Sequence, residues 1–254
     1  MGILSPIGRI FYGVAIAATG VLTIFYRDFP YYFIPPNHVW LSEHLIMIDL
    51  SGALLFVAGA LIAMGRKLMP VCFMLGAVLL LIFCFYFIPY ELMAPSRYMR
   101  FGDWENAAKE LALAGGAFAV VGRKLGCVLY SLAIISFGVD HYLYAHQATA
   151  YMPPWIHHQL FWLYFTGTCL LGSGMAILLN IRVALFATLL GVMIFTWVII
   201  VHIPKATAAP IAVNGGEIVS GLLALAYCGI AFVIAGNARN SVPGASLVIA
   251  PTAR

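Results

Sequence analysis

Asp140 and His141 are adjacent in an otherwise apolar stretch, LAIISFGVDHYLY, and between them they offer a carboxyl and an imidazole, a pair suited to passing protons. His157, His158 and His202 follow at positions expected to reach the same depth. Neutral imidazole titrates near physiological pH and also ligates metals, so this set suits a proton relay or a metal held by His141, His157, His158 and His202. No His-Glu-x-x-His or Glu-x-x-His helix motif accompanies them, so spacing alone names no metal. Asp49 and Glu110 are two further acids set inside apolar runs. A charge at the centre of a membrane helix costs roughly 2.5–3.5 kcal/mol, so such residues usually face a bundle interior or a wet cavity. Asp49, Glu110, Asp140 and His141 are therefore the catalytic candidates, and His44, Trp104 and His202 the candidates for holding a cofactor.

The elements that must position these groups are read from hydropathy. The chain of 254 residues is 63% hydrophobic and 9% charged, against roughly 25% charged in a soluble domain. Apolar runs at 8–26, 42–64, 68–90, 105–121, 125–144, 158–180, 182–203 and 213–236 each approach the roughly 20 residues that span a bilayer as a helix. They lack a period of two, which excludes a β-barrel and predicts an all-α polytopic membrane protein with eight transmembrane helices. The first run has no convincing small-residue cleavage site and is expected to stay as the first span.

The runs repeat. GRIFYGVAIAATGVLTIFY at 8–26 returns as GCVLYSLAIISFGVDHYLY at 126–144, an offset of 118 that carries Tyr12 onto Tyr130 and Gly20 onto Gly138. After a three-residue deletion Gly52 falls on Gly167, Gly59 on Gly174 and Ile88-Pro89 on Ile203-Pro204. Four spans per repeat return the chain to its starting side, so the expected architecture is two parallel tandem four-helix bundles, 1–122 and 123–236, followed by a flexible cytoplasmic tail at 237–254. Arg9, Arg66, Lys67, Arg123, Lys124, Arg182, Arg239 and Arg254 fall on one side and Arg27, Arg97, Arg100 and Lys205 on the other. That bias places both termini in the cytoplasm of a plasma (inner) membrane. It also accounts for the net charge of +4 without nucleic acid, for which no basic, aromatic-interleaved patch exists.

Comparing the repeats isolates the chemistry. Leu22 and Thr23 become Asp140 and His141, Phe87 becomes His202, and Asp49 becomes Tyr164, so the halves are expected to differ in the cavities they enclose. The acids and histidines gather toward the extracytoplasmic side. Most of them, such as His38, His146, Asp28 and Asp103, are accounted for by the interface's tolerance of polar groups. Glu105 and Lys109 stand four apart in the order that favours an ion pair. Glycines seven apart, Gly13 and Gly20, Gly52 and Gly59, Gly167 and Gly174, predict close helix contact. Cys72, Cys84, Cys127, Cys169 and Cys228 form no CxxC, so a thiol relay of the vitamin K epoxide reductase kind is excluded.

The opening Gly-Arg-Ile-Phe-Tyr-Gly, the glycine-bearing first span, the Pro-bearing link and the run Trp104-Glu105-Asn106-Ala107-Ala108-Lys109-Glu110 together resemble the DoxX-like group of integral membrane proteins, across about residues 8–236. The second half lacks the Trp-Glu-Asn-Lys pattern. The resemblance implies membrane redox or detoxification work, such as thiosulfate-to-quinone electron transfer, with a quinone as cofactor ahead of a metal. It also implies membrane lipids and membrane or extracytoplasmic redox subunits as partners. Three functions follow as expectations: a redox-associated subunit whose extracytoplasmic cavity takes a quinone or other small molecule, a noncatalytic accessory subunit that anchors a larger complex, and a small-solute transporter.

Overall fold

The computed structural model describes residues 3–30, 33–34, 44–93, 104–209 and 215–240, and every element among them is helical. In chain order they are α1 (Leu4–Tyr26), α2 (Leu45–Met64), α3 (Leu68–Met93), α4 (Glu105–Val120), α5 (Lys124–Leu143), α6 (Gln159–Leu178), α7 (Val183–Ala208) and α8 (Gly216–Asn240). A five-residue helix, Ala145–Thr149, follows α5. Seven of the eight are long and apolar enough to cross a bilayer, which makes the chain a multi-pass membrane protein. The segment expected as the fourth span differs. α4 has 16 residues, roughly 24 Å at 1.5 Å per residue, and is enclosed by protein on nearly every side from Ala107 to Ala119. Small residues explain this: Ala and Gly make up half of α4 and let neighbouring backbones close around it.

Local sequence sets the helix ends. α2 stops at Gly65, whose φ of +74° turns the chain left-handed while the amide of Arg66 donates to the Leu61 carbonyl at 2.9 Å. Arg9 of α1 adds a hydrogen bond from Nη1 to the Ile62 carbonyl at 3.0 Å. α4 ends the same way at Gly122, with φ +71° and the Arg123 amide donating to Phe118 at 3.0 Å. α3 and α7 each widen into a π-helical turn, Phe83–Phe87 and Val198–His202, immediately before Ile88-Pro89 and Ile203-Pro204. A proline inside a helix has no N–H to give and clashes with the carbonyl one turn back, and the wider turn absorbs both faults. His202 closes the second of these turns.

Packing crosses the boundary between the two sequence repeats. The broadest interfaces pair α1 with α2 and α8, α5 with α6 and α4, α3 with α4, and α7 with α8, while α4 and α8 touch each other near the middle. Glycines sit where these backbones meet: a Cβ at Gly59 would collide with the backbone of Ala17, and one at Gly126 with that of Ala119. Two repeat-equivalent tyrosines bind the interior together. Tyr12 donates to the Leu113 carbonyl and Tyr130 to the Tyr227 carbonyl, each at 2.8 Å and each fully buried. α8 runs to Asn240, past residue 237 where a flexible tail was expected to begin. Asn237 is held in place, donating to the Ala119 carbonyl at 2.9 Å and accepting from Ser5 at 3.2 Å. Residues 241–254 of that expected tail lie outside the described residues.

Candidate functional site

A cavity of about 380 Å³ opens among α5, α6, α7 and α8 near the ends of these helices that carry the longer links, with the first turns of α4 on its rim. α5 contributes Ile134, Phe137, Asp140 and His141, spaced so that one helix face turns inward. α6 gives Trp162, Leu163, Thr166 and Leu170; α7 gives Met193, Ile194, Trp197, Val201 and His202. α8 adds Ser220, Leu223, Ala224 and Tyr227, and Tyr151 and Met152 come from the link before α6. The walls are mostly aliphatic and aromatic, with polar groups confined to a few positions, which is the usual make-up of a small-molecule site.

The polar groups form one layer. His141 Nδ1 lies 2.7 Å from the Phe137 carbonyl, and because a carbonyl only accepts, Nδ1 carries the hydrogen in the neutral ring. Nε2 is then the nitrogen left to accept from, or exchange a proton with, whatever occupies the cavity. Among the described residues, both carboxyl oxygens of Asp140 are buried without a hydrogen-bond partner, as is the Thr166 hydroxyl. Glu105 and Lys109 interact with Asp140 through space from α4 and with each other by a 2.8 Å ion pair. Lys205, outside the lining, pairs with Glu217 at 3.1 Å and stands 5.4 Å from the centre of the Tyr151 ring, which does line the cavity. His202 lies within electrostatic reach of both members of that pair. An occupant with a carbonyl or hydroxyl would therefore find two imidazoles, His141 and His202, and the Asp140 carboxyl among the groups lining a mostly apolar wall.

Of the residues singled out from sequence, the structure brings Asp140, His141 and His202 together here. It does not bring the others. Glu110 is fully buried on α4 with neither carboxyl oxygen partnered, but it does not line the cavity. Asp49 lies on α2, with its Oδ1 buried and unpartnered, also away from the cavity. His44 precedes α2 and is exposed, and Trp104 is the half-buried residue that precedes α4. The proposed metal set His141, His157, His158 and His202 is not one cluster, because His157 and His158 are exposed and line a separate groove. Among the described residues no three His, Cys, Asp or Glu side chains are arranged to hold a metal ion. Both histidines precede the first turn of α6, with His158 at φ +56° as the residue from which that helix starts, and both are exposed there.

Sequence reasoning missed Trp162, Trp197, Thr166 and Tyr227. The signal was present as helical stripes, 162-163-166-170 on α6 and 193-194-197-201 on α7, but such stripes mark any inward face of a membrane helix. No family model matches the chain, and the comparisons with curated proteins and with solved structures likewise return no match. The functional reading therefore stands on the site itself.

Proposed function

We propose that the chain is a redox-associated membrane protein that holds a quinone, or a small molecule of similar shape and polarity, in the cavity among α5 to α8. The observation that carries this is that Asp140, His141 and His202 line one chamber whose walls are mostly apolar. A quinone ring is flat and apolar with two carbonyl oxygens, and the chamber offers apolar walls with a few polar groups at one level, within the 300–1,000 Å³ range of small-molecule sites. In this reading His141, whose Nδ1 is engaged by the Phe137 carbonyl, exchanges a proton with a ring oxygen through Nε2, and Asp140, next to it in the chain, receives or supplies that proton. Electrons reach such a ring from a separate redox partner, in keeping with the resemblance to the DoxX-like group. In this reading α4 crosses the membrane with the other seven helices, both termini face the cytoplasm, and the cavity faces the extracytoplasmic side.

Native mass spectrometry of the gently solubilised protein tests this directly. A stoichiometric small ligand that is lost from the Asp140→Asn, His141→Gln double variant, with the fold retained, is the expected result. A ligand-free chain held in a stable larger assembly would overturn it and establish the accessory role instead.

A further inference from the structure

A second recess lies beside the cavity, and the two share a wall. It is a groove of about 630 Å³ between α6 and α7, lined by apolar and aromatic side chains including Phe165, Leu189 and Val192, with Trp155, His157 and His158 at its end nearest the long links. Trp162, Met193 and Trp197 line both spaces. Phe165, Leu189 and Val192 are about half exposed on the bundle's outer surface, where lipid would lie. The groove follows α7 from Leu189 to Ile200, roughly 16 Å at 1.5 Å per residue. α6 and α7 pack on each other far less than either packs on its main neighbour, so this seam is a loosely closed wall of the cavity. Trp162 and Trp197 close it, edge to face with ring centroids 6.2 Å apart.

We propose that cavity and groove are one bipartite site for an amphipathic, membrane-dissolved molecule: a compact polar ring in the cavity, a hydrocarbon tail along the α6–α7 groove, and the Trp162–Trp197 pair as the collar between them. This rests on the small-molecule reading above and adds to it the ligand's chemical class and its way in. The polar layer at Asp140, His141 and His202 suits a head with hydrogen-bonding oxygens. Away from the histidines at its end, the groove is lined by Phe165, Leu189, Val192, Met193 and Ile200, with the Thr196 hydroxyl already bonded to the Val192 carbonyl, and its exposed side opens to lipid. A ligand arriving from the bilayer needs no aqueous route. It must turn one of the two indole rings aside, since in the present arrangement the pair fills the junction.

The test measures binding of two probes to the full-length protein by calorimetry in one fixed detergent: 2,3-dimethoxy-5-methyl-1,4-benzoquinone, and the same ring carrying a decyl tail. A Leu189→Phe, Val192→Phe double variant fills the groove without touching the cavity lining. The expected result is that the variant weakens the tailed probe at least tenfold while the tail-less ring changes less than twofold. Equal binding of the tailed probe to variant and unaltered protein overturns the bipartite site and leaves the cavity reading standing. Failure of both probes to bind the unaltered protein removes the quinone reading and this inference with it. Should the variant not fold, a decyl probe with a diazirine at the tail end answers the question on the unaltered protein: labelling at Phe165, Leu189 or Val192 supports the site, and labelling confined to other helices overturns it.

Discussion

Replacing Glu110 by leucine should stabilise this protein. The side chain is wholly buried on α4 and neither carboxyl oxygen has a hydrogen-bond partner among the described residues. A buried polar group left unpartnered costs on the order of 1–3 kcal/mol. Leucine matches glutamate closely in helix propensity, and exchanging a straight side chain for a branched one of similar bulk costs less than about 1.5 kcal/mol in repacking. Taking the middle of both ranges, the balance favours the variant by about 1 kcal/mol, and each kcal/mol moves the thermal midpoint of a chain this size by about 2–4 °C. Glu110→Gln is the control, because an amide there is still buried and polar and should change the midpoint little. The assay is thermal unfolding of the purified protein in detergent, followed by fluorescence. Because Glu110 is absent from the cavity wall, ligand affinity should be unchanged. A Glu110→Leu midpoint below that of the unaltered protein, with Glu110→Gln unaffected, would show that the carboxyl has a partner and would refute the reasoning.

The glycines give a paired prediction in opposite directions. Gly126→Val should lower the thermal midpoint by the equivalent of about 1–3 kcal/mol, because the new side chain meets the Ala119 backbone. Gly172→Ala should raise it by up to about 1 kcal/mol, because Gly172 is helical, exposed and has no atom near its missing Cβ. Tyr12→Phe and Tyr130→Phe should each cost about 0.5–1.5 kcal/mol for the lost bond to Leu113 or Tyr227, and equilibrium unfolding of the two single variants and the double should show the costs adding. Thr166→Val should leave stability within about 1 kcal/mol, since the hydroxyl it removes is unpartnered, yet alter ligand affinity measured by calorimetry, since Thr166 lines the cavity.

Much of the architecture was legible because membrane helices announce themselves. An apolar run of some 20 residues has no other way to satisfy its backbone in lipid, so most helices could be placed before any coordinates were known. The repeat was equally visible, and its correspondence extends to details that hydropathy does not show. The π turns at Phe83–Phe87 and Val198–His202 fall before the matching Ile-Pro pairs, and the buried tyrosines Tyr12 and Tyr130 play matching parts. α4 is the element that hydropathy leaves open, because its alanines and glycines score as apolar whether they face lipid or protein.

The sequence by itself determined that the chain lives in a membrane, that it is helical and duplicated, and that Asp140, His141 and His202 break the apolar pattern where the first half has Leu22, Thr23 and Phe87. Composition and period are local properties, so they can be read residue by residue. Only the tertiary structure decided which polar groups share a space. Asp140 and Glu110 look alike in sequence, each an acid in an apolar helix, yet one lines the cavity and the other is sealed inside α4's packing. The difference lies in how far each helix is rotated about its axis and which neighbours it meets, and interfaces such as α1 with α8 and α5 with α4 fix that rotation across distances in the chain that no local pattern records.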